Sequence, residues 1–277
     1  MRQTSKRKNS FLFILPLFLL SACSTNKYAA TNKIYKQQAK SFGELLEAVP
    51  PLDQQVILLP ADQQSFIGSV NFGIRKPNFI ILHHTAQAST DQTIRTFILK
   101  STGTSAHYII GRDGKLVHMV NDYLRANHAG VGKWGNEADL NSSSLGIEID
   151  NNGNEPYSDA QINSLISLLS VLTKKYNIPA ANIIGHSDIS PKRKIDPNKF
   201  PWKKLADQGF GLWYDPVLQI PPANFDAAIA LRIIGYDVSN LSAAVIAFKR
   251  HFVQTDISPK LSQADYMILF NLYKKYL

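Results

Sequence analysis

The chain has 277 residues, 44% of them apolar and 18% charged, with a formal charge of +9 at neutral pH and a single cysteine. That apolar content excludes a chain too polar to bury a core. One cysteine excludes an intramolecular disulfide and any thiolate-rich metal site.

Residues 1–23 read as a targeting segment. Arg2, Lys6, Arg7 and Lys8 form a basic stretch without acids, and Phe11 to Leu20 is an apolar run too short to span a bilayer comfortably. The run ends in Leu20-Ser21-Ala22-Cys23, which is similar to a bacterial lipobox, so Cys23 is expected to be acylated and to anchor the chain to a membrane. Ser24 rather than Asp follows it, which in lipoproteins of this kind favours the outer membrane and leaves the remainder in the periplasm. Four of the nine net positive charges lie in this segment, so the remainder has a modest basic bias. Such a bias suits an anionic polymer such as the cell wall, and the compartment excludes nucleic acid. Residues 24–45 are polar, lack Pro and carry little apolar periodicity; they are expected to be a flexible tether.

From 46 to 216 strand and helix signals alternate. Val56-Ile57-Leu58-Leu59 is a short apolar run closed by Pro60, and Phe79 to His83 reads as a buried strand. Ser89 to Gln92 resembles a capping box that opens a helix with Ile94, Phe97 and Ile98 on one face. Ala106–Gly111 and Leu116–Val120 flank Asp113-Gly114, a strong hairpin signal. Residues 125–144 are rich in Gly and Asn and weakly periodic, the mark of a functional or mobile loop; His128, Trp134 and Asn136 are its candidates for lining a binding groove. Leu145 to Ile149 is a further strand. Ser158 and Gln161 cap a helix with a broad apolar face (Ile162, Leu165, Ile166, Leu168, Leu169, Leu172), stopped at Asn177-Ile178-Pro179. The order predicts an α/β domain with a mixed central β-sheet flanked by helices. Beyond Pro221-Pro222 three short helices are expected, so residues 217–277 read as a small all-α domain whose core is marginal by itself.

The chemistry lies in three short stretches. His83 ends one apolar run (FIILHHT), His186 ends another (IIGHSDI), and Asp196 follows ten residues later (PKRKIDP). Two imidazoles and a carboxylate leave one position open on a tetrahedral zinc, the catalytic rather than the structural pattern. His83 and His84 are neighbours in a strand and point to opposite faces, so only one of them can readily join the metal. Glu148 sits between Ile147 and Ile149; a carboxylate in such a run must be paired, protonated or functional.

Taken in order, FIILHHTA, SAHYIIGRDGKLVHMV, ANHAGV, LGIEIDN and GHSDISPKRKIDP resemble the zinc-dependent N-acetylmuramoyl-L-alanine amidases that share a fold with peptidoglycan recognition proteins. The likeness covers roughly residues 75–205. It implies hydrolysis of the amide between N-acetylmuramic acid, with its 1,6-anhydro form a further candidate, and the L-alanine of the stem peptide. It implies one zinc ion held by His83, His186 and Asp196, with Glu148 helping to activate water and Lys194 steadying the oxyanion. Ala106 and Asn127 depart from the pattern: some relatives have a catalytic tyrosine at the first position and many a tryptophan at the second. LRIIGYD and AVIAFKRHF resemble a three-helix peptidoglycan-binding domain. The expected partners are thus peptidoglycan, muropeptides and a membrane through Cys23, for a monomeric chain. The rival readings are a wall receptor without catalysis, a tethering lipoprotein and a metallopeptidase; no HExxH is present for the last.

Overall fold

The computed structural model describes residues 26–48 and 76–277. The targeting segment with Cys23 and the apolar run at 56–59 lie outside the described residues. The chain divides into two compact units, Met1–Ser69 and Val70–Leu277.

In the first unit, Ala29–Ala48 form one helix, α1. This corrects the flexible tether expected for residues 24–45. Lys, Gln, Ala, Glu and Leu dominate the segment, and these side chains lose little rotamer freedom in a helix. Asn26 starts it, its side chain accepting the Tyr28 N–H at 2.9 Å. Lys40 and Glu44 pair one turn apart at 3.6 Å. No described helix is long and apolar enough to cross a membrane.

The second unit is built on a five-stranded mixed sheet. Its strands are β1 (Phe79–His84), β2 (Tyr108–Ile110), β3 (Leu116–His118), β4 (Ser144–Ile149) and β5 (Ile183–Gly185), in the spatial order β3-β2-β4-β1-β5. β2, β4, β1 and β5 run parallel, and β3 folds back antiparallel through the expected hairpin. The central strands read as continuous apolar runs because both of their faces are covered. Ile80, Leu82, Leu145, Ile147 and Ile149 share one core with the helices α4 (Asp159–Tyr176) and α6 (Trp202–Ala206). Ser158 and Gln161 form the capping box of α4, and Asn177 ends it in the left-handed conformation. Ser89 caps α2 (Thr90–Ile98), but the Gln92 side chain reaches back to Ala88 N–H, one residue before the cap. A single turn, α3 (Leu140–Ser143), leads straight into β4.

The opposite face of the sheet belongs to the C-terminal helices α7 (Ala227–Ile234), α8 (Leu241–Phe248) and α9 (Gln263–Tyr276). Ile81 of β1 and Ile184 of β5 share a second core with Leu231, Ile234, Val245, Phe248, Phe252 and Leu269. Between α8 and α9, Lys249–Val253 form a single π-helical turn. Lys249 at its start is fully buried, donating to the Lys260 carbonyl at 2.7 Å and pairing with Asp265 at 3.2 Å and with Asp256. The helices therefore fill the core of the sheet domain and do not close on themselves alone.

One consequence is cooperative unfolding. Phe248→Ala is expected to cost about 3–5 kcal/mol and to lower a single transition shared by sheet and helices. Urea unfolding followed in parallel by far-ultraviolet circular dichroism and tryptophan fluorescence checks it; two separated transitions would contradict a shared core.

Candidate active site

Strand register assembles the site. His83 at the end of β1 pairs laterally with Glu148 of β4, and Leu82 pairs with Gly185 of β5, so His186 emerges beside His83. His186 opens α5, a single helical turn from His186 to Ile189. The chain returns at Asp196, whose carbonyl accepts the Ser187 N–H at 2.7 Å, and the Asp196–Pro197 peptide is cis. All of this occurs at the carboxyl ends of parallel strands, where open α/β sheets bind their ligands.

There His83 Nδ1, His186 Nδ1 and one oxygen of Asp196 form a triangle with edges of 3.0, 3.1 and 2.9 Å. These three residues form a group able to hold a metal ion. His84 points the other way: its Nδ1 accepts the Asn198 N–H at 3.1 Å, and its ring packs against Gly153.

Hydrogen-bond direction decides which nitrogens are bare. His186 Nε2 lies 3.1 Å from the Ala129 carbonyl, which can only accept, so a neutral His186 keeps its hydrogen there and leaves Nδ1 free. Behind His83 runs a longer chain. The Ser144 hydroxyl donates to the Leu140 carbonyl, so its oxygen accepts from His128 Nε2 at 3.3 Å; His128 Nδ1 is then bare and accepts from His83 Nε2 at 3.1 Å. Burial first, then the neighbouring His186, lowers the His83 pKa to about 4 and keeps the ring neutral. Burial likewise holds His128 well below its ordinary value. Both imidazoles thus leave Nδ1 bare within the triangle. A tetrahedral zinc with bonds of about 2.0–2.2 Å has edges of about 3.4 Å, close to the triangle found. The donor set fits zinc.

Glu148 stands next to this triangle. Its Oε2 is buried and has no hydrogen-bond partner, so water or substrate is the natural complement. Burial, then the negative Asp196, pushes its pKa up to about 8, with Lys194 pulling the other way. Burial opposes ionisation of Asp196, but its contacts with His186 and His83 outweigh that and hold its pKa far below the ordinary carboxylate range. Lys194 is half-buried, and its charge lowers the pKa of both His83 and Glu148.

The expected groove residues are placed differently. His128 is buried behind His83, over Gly146, where a Cβ would lie 2.3 Å from the imidazole; the smallest residue faces the ring. Trp134 is also buried, edge-to-face on Tyr236 at 4.9 Å, so its indole is committed to the C-terminal helices. Only Asn136, in the exposed turn closed by Trp134 and Glu137, faces solvent. His107 bonds backbone on both sides, Leu124 O and Gly146 N–H at 3.0 Å each. Sequence reading missed Ser144 and Asp188; the one available signal was Asp188 three residues after Gly185, where a helix-capping acid stands.

The N-acetylmuramoyl-L-alanine amidase family (Amidase_2) matches residues 74–199, the segment that carries His83, Glu148, His186 and Asp196. The N-acetylmuramoyl-L-alanine amidase AmiD of Escherichia coli is 30% identical over 230 residues, covering 71% of this chain and 82% of AmiD. The solved structure of that enzyme with anhydro-N-acetylmuramic acid-L-Ala-D-gamma-Glu-L-Lys superposes with a TM-score of 0.66 at 28% identity, over 76% of this chain and 93% of the other. AmpDh3 of Pseudomonas aeruginosa, solved with an anhydromuramic pentapeptide, gives 0.66 at 29% identity over 79% and 99%. With 30% identity to AmiD over 82% of that protein's length, the chain belongs to the N-acetylmuramoyl-L-alanine amidases.

Proposed function

We propose that this chain is a zinc-dependent amidase of the outer membrane that cuts N-acetylmuramic acid, and its 1,6-anhydro form, from the L-alanine of the stem peptide. The enzyme class and the bond follow from family membership. Relatives solved with anhydromuramyl peptides support the anhydro form as a substrate. The observation that carries the mechanism is the triangle of two imidazole nitrogens and one carboxylate oxygen beside the unpartnered oxygen of Glu148.

His83, His186 and Asp196 would hold the zinc, which when bound supplies Lewis acidity toward the scissile carbonyl and toward water. Glu148 takes the proton from the attacking water and returns it to the departing L-alanine nitrogen, base first and acid second. The raised pKa of Glu148 suits that double role, because neither form is strongly disfavoured near neutral pH. Lys194 places a positive charge where negative charge gathers on the carbonyl oxygen.

Digestion of purified anhydro- and ordinary muropeptides, read by mass spectrometry, tests the reading. Free stem peptide and intact sugar are expected, lost with chelator and restored by zinc; bound but uncut muropeptide in the presence of zinc would make the chain a receptor. Glu148→Gln is expected to lower kcat by about 10²–10⁴ and Lys194→Ala by about 10²–10³. A base must be ionised, so activity rises with pH through the Glu148 pKa. A neighbouring cation favours the ionised form, which puts this limb between 4.5 and about 8; it disappears in Glu148→Gln. The same inactive protein, sedimented with sacculi, reports whether residues 217–277 add affinity for the wall.

His128 is the partner that fixes the His83 tautomer. Outer partners of this kind typically contribute about 10–100-fold in metal affinity. His128→Phe keeps a ring but removes both nitrogens, and a loss of that size is expected in zinc titrations against a competing chelator.

Acylation at Cys23 would deliver the enzyme to the membrane. Cys23→Ser is expected to move the protein from the outer-membrane fraction to the soluble periplasm; unchanged fractionation would remove the anchor from this account.

A further inference from the structure

We propose that the C-terminal helices brace the metal site, holding His186 in position through the buried carboxylate of Asp188. The inference rests on the reading of His186 as a zinc ligand. Asp188 is 0% exposed and lies in the same helical turn as His186. Its Oδ2 accepts the Gly185 N–H at 2.7 Å and a hydrogen bond from His251 Nδ1 at 2.8 Å. Its Oδ1 accepts the Tyr236 hydroxyl at 2.9 Å. A carboxylate can only accept, so His251 carries its hydrogen on Nδ1. Two of the three donors therefore come from the C-terminal helices: Tyr236 just after α7, and His251 in the π turn after α8. The third is the backbone N–H immediately before His186.

A second contact reaches the same point. His251 stacks on Trp202 with ring centroids 3.8 Å apart and planes 16° from parallel. Trp202 in turn presses on Gly185, where a Cβ would sit 3.1 Å from Cζ2 of the indole and 3.0 Å from Cδ of Pro197. Gly185, the residue before His186, is thus contacted by both Asp188 and Trp202, and His251 touches both of them. The π turn carries the residue responsible, and such turns recur at functional sites. Removing one donor leaves a buried carboxylate oxygen without its partner, a costly state that the side chain relieves by rotating. Rotation of Asp188 releases the Gly185 N–H and loosens the turn that aims His186 Nδ1. A metal site tolerates only about 0.5 Å of such slack. Tyr236 and His251 are accordingly positioning residues; neither is among the converging ligand atoms.

The test compares full-length wild type with Tyr236→Phe, His251→Leu and His251→Asn. Zinc affinity is read by competition with a chromophoric chelator, ligand geometry by the visible spectrum of the cobalt-substituted protein, and turnover by kcat and KM on a muropeptide. Tyr236→Phe and His251→Leu are expected to bind zinc about tenfold more weakly, with an altered cobalt spectrum and a lower kcat at unchanged KM. His251→Asn can return an N–H to the Nδ1 position and is expected to recover most of the affinity. Wild-type zinc affinity and cobalt spectrum in Tyr236→Phe, which leaves the packing volume intact, would overturn the brace, whatever its melting temperature or the folding of His251→Leu. If wild type takes up no zinc, the reading of His83, His186 and Asp196 falls first, and the brace with it.

Discussion

The parallel register of β4, β1 and β5 is the constraint from which the rest of the site follows. Pairing His83 with Glu148 and Leu82 with Gly185 puts a ligand, an acid and a second ligand side by side at one end of the sheet. A slip of one residue would turn every side chain of β1 to the opposite face, exchanging His83 for His84 and sending Ile81 into the wrong core. Ile80 and Leu82 on one face and Ile81 on the other are all fully buried, so this continuous apolar run cannot by itself guard against that slip. The separate partners of the two imidazoles, His128 behind His83 and the Asn198 N–H at His84, mark which histidine meets the carboxylate.

Within that frame, hydrogen-bond direction does what distance alone cannot. Two backbone carbonyls, Leu140 and Ala129, are acceptors with no alternative role, and each sets the tautomer of an imidazole upstream. The polar loop 125–144 supplies both Ala129 and His128, while Gly146 on β4 leaves the space into which the His128 ring fits. The loop thus contributes less as an open groove than as the backing of the ligands. Its Trp134 looks to the C-terminal helices instead, edge-to-face on Tyr236.

Those helices answer a need of the sheet. With α4 and α6 on one face, the parallel strands still have Ile81 and Ile184 to cover on the other, and Phe248, Phe252 and Leu269 do so. A sheet domain and a helical appendage that share one core are coupled, and Asp188 carries that coupling to within two residues of His186.

Much of this was legible in the sequence. Strand positions follow from apolar runs bounded by turn residues, helix starts from Ser89 and Ser158, and the candidate ligands from their places at the ends of those runs. The α/β class needs nothing beyond that order. What the linear chain could not carry is direction and company. The spacing in residues 24–45 conceals a helix, because Ile34, Phe42 and Leu45 form a sparse stripe among strong helix formers. His128 looks like a groove residue until Gly146, eighteen positions later, is seen to make room for it. His251 looks remote from the site until the second face of the sheet brings it onto Asp188. Local chemistry determines which elements form and which residues can ligate. Burial on both faces of one sheet, a property no short segment possesses, decides which of those residues meet.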